Sequence, residues 1–185
     1  MPDQFDIKEK LKEAIFELYR NDYLLINNQC CERSIVFRLG LYLANSLAAY
    51  GLDVDCEYNK NGEKPKSLSN KRFNYPDIIV HKRGSNEDNV LIAEVKTPRD
   101  TRPKDFYNDT VKLKGFAQEV AYLYRWGVHI YIAATTCSLV WYTHEGIKEL
   151  CRYRIESDNH DLSKNSRKDN ALDRWYKQFL PIYKR

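Results

Sequence analysis

The sequence predicts an α/β fold with a mixed central sheet flanked by helices, on three observations. Apolar side chains recur at helical spacing in two segments of the first fifty residues. Five short β-rich runs lie between residues 53 and 144, and a single helical stretch divides them three and two. Strands interrupted by one long helix build a layered sheet that returns on itself through that helix. At 185 residues the chain has the size of one domain. It can bury a core without disulfide or metal staples. The expected organisation is one domain over 1–185, with a core at about 30–144, an N-terminal helix at 1–27 and a C-terminal extension at 151–185.

The first helix is expected over residues 5–26, where Leu11, Ile15, Leu18 and Tyr19 share a face. The second is expected over 30–50, with Ile35, Val36, Leu39, Leu43 and Leu47 on one side and Gly51 as its C-cap. Residues 53–58 read as a short strand. The polar, basic stretch 59–72, punctuated by Gly62 and Pro65, reads as a mobile loop. Runs 75–81 and 90–97, joined by KRGSNEDN, form a hairpin in the simplest reading, and Pro98 ends the second strand. A helix follows over 104–126, closed by Gly127, and then strands at 128–134 and 138–144. The tail from Cys151 is mostly polar until an amphipathic end at 171–183, with Trp175, Tyr176, Phe179 and Leu180.

Several function classes are disfavoured. No apolar run reaches the roughly 20 residues of a membrane helix, so no membrane partner is expected. The N-terminal sequence MPDQFDIKEKLKEAIF lacks the basic-then-apolar layout of a secretory leader. Five cysteines without a CxxC pair fit reduced thiols in a cytoplasmic protein better than a disulfide framework or structural zinc. Neither HxH nor HExxH occurs among His81, His129, His144 and His160, and P-loop, GxGxxG and GxSxG motifs are all missing. The net charge of +4 permits a polyanionic partner without arguing for one.

Chemistry concentrates in the hairpin. Asp77 opens its first strand, directly after Pro76. Glu94 and Lys96 stand two apart on the second, hence on one face, while Leu91, Ala93 and Val95 take the other and serve the core. A hairpin brings Asp77 close to Glu94. Two carboxylates at strand ends beside a lysine suit a Mg²⁺-dependent phosphodiesterase. Mg²⁺ binds one or two carboxylates plus waters and phosphate, and a nearby ammonium can hold water or stabilise charge developing on phosphorus.

Pro76-Asp77 followed by Glu94-Val95-Lys96 resembles the signature of the PD-(D/E)XK nuclease superfamily, whose fold is restriction-endonuclease-like with an α-β-β-β-α-β core. The resemblance covers about residues 30–144. It implies that Asp77 and Glu94 bind Mg²⁺ or Mn²⁺, that Val95 lends its carbonyl and that Lys96 assists the attacking water. For that role the Lys96 pKa should be lowered by the site. It also implies DNA as substrate and partner, with endonuclease action expected. Asp6-Ile7-Lys8 fits the same tripeptide, but it lies in a helical stretch with no partner strand and reads as a solvated helix face.

Three further groups support this reading, each with a plainer alternative. Glu32 heads the inward stripe of the second helix, where a carboxylate needs a partner. It resembles the acidic residue that many members of the superfamily carry on their first core helix. A glutamate in a first helical turn is also favourable by itself. Gln118 and Tyr122, four apart on the third helix with Lys114 a turn earlier, are similar to the Gln-x-x-x-Tyr element of RecB-type nucleases, or are simply a surface glutamine and one tyrosine of 14. Basic residues crowd the motif: Lys60, Lys64, Lys66, Arg102 and Lys104, with Lys71, Arg72, Arg99, Lys112 and Lys114 as the candidate phosphate contacts. Any one of them can equally be a solvated side chain. A non-catalytic or partner-dependent nucleic-acid-binding module of the same fold is the rival expectation. The apolar tail could then serve a homodimer or a targeting partner, or close the domain's own core.

Overall fold

The computed structural model describes residues 5–61, 64–68, 75–100, 103–119, 121–155 and 162–164. Helix α1 (Ile7–Asn27) starts at Asp6, whose carboxylate accepts the Lys8 N–H at 2.8 Å as an N-cap. The Asp6-Ile7-Lys8 tripeptide is therefore a helix start, and the Lys8 ammonium pairs with Glu149 at 2.6 Å. Helix α2 (Glu32–Leu47) packs on α1, and the two are pinned where α1 kinks at Asp22. The Asp22 carboxylate accepts from Arg38 Nε at 2.7 Å and from the Tyr42 hydroxyl. After α2 a 3-10 turn (Ala48–Tyr50) ends on Gly51 at φ +67°, the left-handed cap expected there.

Strand β1 (Asp53–Cys56) lies tight under α2: a Cβ on Gly40 would stand 2.8 Å from Cys56 Sγ. A small ribbon, β2 (Lys60–Asn61) and β3 (Lys64–Pro65), follows. Then come β4 (Ile78–His81), β5 (Leu91–Lys96), α3 (Pro103–Gln118), β6 (Trp126–Ile132), β7 (Thr136–Thr143), β8 (Gly146–Ile155) and β9 (Leu162–Lys164). Seven strands form one sheet in the order β1-β4-β5-β6-β7-β8-β9. All neighbours are antiparallel except β5 and β6, whose parallel pairing is made possible by the α3 crossover.

The sheet is buried on both faces. Ile78, Val80, Leu91, Ala93, Val95, Val128 and Ile130 join the apolar stripes of α1 and α2 in one core. Ile79, Ile92, Val140 and Tyr142 meet Leu113 and Phe116 of α3 in a second. The result is a mixed α/β architecture with helices on both sides. Among the described residues no helix is long and apolar enough to cross a membrane.

Three expectations need correction. The expected polar tail from Cys151 instead completes the ten-residue strand β8, whose Cys151 and Ile155 point into the core. Helix α3 stops at Gln118 rather than running to 126. The chain turns there, with Leu123 at φ +45° and the Tyr124 N–H bonded back to Phe116 O. That turn buries Tyr122 and Tyr124 edge-on against the Phe116 ring. Finally, the expected mobile loop contains the β2–β3 ribbon, and its Lys66 is buried. The amphipathic segment 171–183 lies outside the described residues.

Candidate functional site

The β4–β5 register places Ile78 opposite Ala93, so Asp77 stands one step further on, opposite Glu94. Asp77 Oδ2 accepts the Val95 N–H at 2.7 Å, continuing with a side chain the ladder that the β4 backbone has left. The N–H and C=O of an antiparallel strand residue point to the same side, so the Val95 carbonyl also faces Asp77. Glu94 is 1% exposed, and its Oε1 lies 2.7 Å from Lys112 Nζ of α3. Lys112 also donates to Tyr75 O at 2.8 Å. Lys96 Nζ sits 3.2 Å from Glu32 Oε1 and 3.3 Å from Asp109 Oδ2. Side chains from α2, β4, β5 and α3 thus converge at one end of the hairpin.

The electrostatics follow from burial and from each other. Burial raises the Asp77 carboxyl above its usual range, against the Val95 N–H and the Lys96 and Lys112 charges, which lower it. Burial also pushes Glu94 well up, with Asp77 adding to it, although Lys112 opposes. Burial alone would lower Lys96, but Asp109, Glu32 and Asp77 outweigh it and hold the ammonium above its ordinary value. This corrects the expected lowering of its pKa: Lys96 is a fixed positive charge among carboxylates. His129, beside Glu94 in register and edge-on to Phe106, is kept neutral by burial and then by Lys96 and Lys112.

No family model matches the chain, and no curated protein matches it in sequence. Among solved structures, a cryoEM structure of a DrdV–DNA complex overlaps 94% of this chain and 13% of its own, at 14% identity and a TM-score of 0.46. The chain therefore spans a small fraction of that protein's length. A crystal structure of SSO0001 overlaps 95% of this chain and 84% of its own, at 14% identity and a TM-score of 0.29. At these scores neither overlap bears on fold or function.

Of the residues singled out in the sequence, Asp77, Glu94, Val95, Lys96 and Glu32 come together. Gln118 and Tyr122 do not share a helix face, because α3 ends between them. Gln118 is exposed and donates to His144 O at 3.1 Å. Tyr122 is buried, its hydroxyl accepting the Ser67 N–H and donating to Ser67 O, both at 2.9 Å. Their pairing as a RecB-type element finds no geometric basis. Arg99 is exposed just beyond β5 and donates to Gln29 O at 3.4 Å. Lys114 is half-buried, and burial lowers its pKa. Lys112 is no free phosphate contact; it is the partner of Glu94. Lys71 and Arg72 lie outside the described residues.

Asp109 is the member that sequence reading missed. It lies three residues after buried Phe106 and four before buried Leu113, at the edge of the inward face of α3. That spacing was the available signal.

The donor set suits a hard cation. Glu94 Oε1 and Asp109 Oδ2 are buried and met by ammonium groups, but by no aligned hydrogen bond. Among the described residues no three His, Cys, Asp or Glu side chains form a ready-made metal cluster. Asp77 and Glu94 supply two carboxylates beside a backbone carbonyl. Such a set matches Mg²⁺, which draws its remaining ligands from water and phosphate, better than zinc.

Proposed function

We propose that the chain is a Mg²⁺- or Mn²⁺-dependent endonuclease acting on DNA, built on the restriction-endonuclease-like core of the PD-(D/E)XK superfamily. The observation that carries this reading is the convergence of carboxyls at the end of the hairpin. Glu32, Asp77, Glu94 and Asp109 gather around Lys96 and Lys112, and both strand carboxyls are raised by burial and by neighbouring acid. Carboxyls held close together in a half-buried site are what a divalent cation stabilises in their charged form. In further support of the fold, α2-β1-β4-β5-α3-β6 reproduces the α-β-β-β-α-β order, ignoring the small ribbon.

In this reading Asp77 and Glu94 hold the ion, with the Val95 carbonyl beside them. When bound, the ion supplies Lewis-acid polarisation of the phosphate and a more acidic water. Lys96 does not remove a proton. Held charged by Asp109 and Glu32, it donates hydrogen bonds to the attacking water and to the charge that develops on phosphorus. Glu32 and Asp109 position that ammonium. Arg99, exposed just beyond β5, is the described basic residue assigned to steady the flanking backbone.

The test is incubation of purified protein with supercoiled plasmid and linear duplex, in Mg²⁺, Mn²⁺ or EDTA, with Asp77→Asn in parallel. Metal-dependent nicking or linearisation that the variant lacks supports the reading. Salt-sensitive DNA binding without cleavage would replace it with the non-catalytic or partner-dependent module. Cleavage unchanged in Asp77→Asn would remove this site from the chemistry.

A further inference from the structure

A second polar cavity lies at the opposite end of the β4–β5 hairpin. Its volume is about 200 Å³, and it is lined by Lys60, Lys66, Ser85, Asn86 and Asn89, with Tyr58 and His81 closing it. Asn89 and Glu94 are five residues apart along the chain into β5, so the two sites are separated by roughly 16 Å at strand rise. They do not share side chains.

Lys66 is the unusual member. It follows the β2–β3 ribbon, with its N–H bonded to Asn59 O and the next residue clamped at both backbone groups by the Tyr122 hydroxyl. This anchoring turns the side chain inward, and Lys66 is only 2% exposed. Its ammonium donates to the Tyr124 hydroxyl at 2.7 Å and lies 5.2 Å from the ring centres of Tyr58 and Tyr124. No described carboxylate comes within ion-pair distance of it. The nearest acid by charge, Asp55, is already committed to Arg83 and, at 2.9 Å, to His81 Nε2. A buried ammonium with one hydroxyl acceptor and one aromatic face keeps donor capacity unspent among the described residues. Burial lowers its pKa to about 8, with the charge of Asp55 opposing it only in part.

The rest of the lining has the same bias. Among the described residues no acidic side chain lines the cavity, and Lys60 adds a second positive charge at its exposed edge. The amides are held in place: Asn86 Nδ2 donates to Asn61 Oδ1 at 2.7 Å and Asn89 Nδ2 to Tyr122 O at 2.6 Å. The volume falls below the 300–1,000 Å³ range of sites for whole drug-sized ligands. It suits an ion or a single charged group.

We propose that this cavity binds a phosphate group, with Lys66 as its principal charged contact and Lys60 and Ser85 as further donors. The proposal does not rest on the nuclease reading. The group can be inorganic phosphate or the terminal phosphomonoester of a nucleotide, because the shared chemistry is a small tetrahedral oxyanion met by ammonium and hydroxyl donors.

The experiment is calorimetric titration of the full chain in EDTA, near neutral pH and at matched ionic strength, with inorganic phosphate, AMP and adenosine. The expected result is saturable binding of phosphate with a Kd below about 1 mM, with adenosine silent. Competition by AMP assigns the site to a phosphomonoester end; exclusion of AMP assigns it to the free ion, and both results support the site. Lys66→Met should weaken binding by about tenfold or more, and the exposed Lys60→Ala, which leaves the fold alone, by a smaller factor. Asp77→Asn should bind as the wild type does, which separates this site from the other. Absence of saturable phosphate binding in the wild type, or unchanged binding in folded Lys66→Met and in Lys60→Ala, would overturn the proposal.

Discussion

Lys66 and Lys96 are both withdrawn from water, and the protein perturbs them in opposite directions. Lys96 lies among Asp109, Glu32 and Asp77, which outweigh its burial and hold it charged. Lys66 meets the Tyr124 hydroxyl and the Tyr58 ring, and burial draws its pKa down to about 8. Burial therefore does not set the sign; the surrounding charge does. One end of the hairpin gathers carboxyls around its lysine, while at the other the described lining of the cavity carries lysines and no carboxylate.

The contrast can be broken most severely at the acidic end. Glu94→Gln removes the most buried carboxylate of the site and should reduce cleavage to the level seen in EDTA, as a plasmid-nicking assay would read. Lys96→Met should lower kcat by about 10²–10³-fold, the usual loss when a preorganised charge donor is removed, while leaving Mn²⁺ binding in place. A loss of metal binding together with rate would instead make Lys96 a scaffold for the carboxylates.

Smaller effects concern stability. The folded pKa of Asp77 lies above its ordinary 3.8. Between those two values the native state binds more protons than the unfolded one, so this group's contribution falls as pH rises through that interval. Asp77→Asn can still accept the Val95 N–H. In metal-free buffer it should equal or exceed the wild type in stability at neutral pH, with the advantage shrinking toward acid. Denaturant unfolding across that range checks the sign. For Lys66 the unfolded chain binds the extra proton between about 8 and 10.5, so its contribution improves as pH rises through that window. Lys66→Met should gain slightly in Tm at neutral pH and lose the gain in alkali. Thermal melts resolve this, since each kcal/mol moves Tm by about 2–4 °C for a chain of this size.

Much of the acidic end was legible in the sequence. Strand alternation alone assigns Glu94 and Lys96 to one face and Leu91, Ala93 and Val95 to the other, and the hairpin then brings in Asp77. Glu32 was visible as a carboxylate heading an apolar stripe, though not its partner. Asp109 and the true role of Lys112 required the angle at which α3 crosses the sheet, which no local pattern encodes. The end of α3 was hidden because neither Gly nor Pro lies between Gln118 and Trp126; burial of Tyr122 and Tyr124 against Phe116 turns the chain there. Strand β8 was masked by Lys148, Glu149, Arg152 and Arg154, polar residues of a strand buried through Cys151 and Ile155. Lys66 read as one solvated lysine of a basic loop, because the contacts its ammonium makes come from Tyr58 and Tyr124.

The central claim is that Asp77 and Glu94 form a divalent-cation site. The most direct measurement is calorimetric or EPR titration of Mn²⁺ into the metal-free wild type, Asp77→Asn and Glu94→Gln, without DNA. Saturable binding in the wild type that both variants lose is the predicted result. Absence of binding in the wild type, or equal binding in all three proteins, would contradict it.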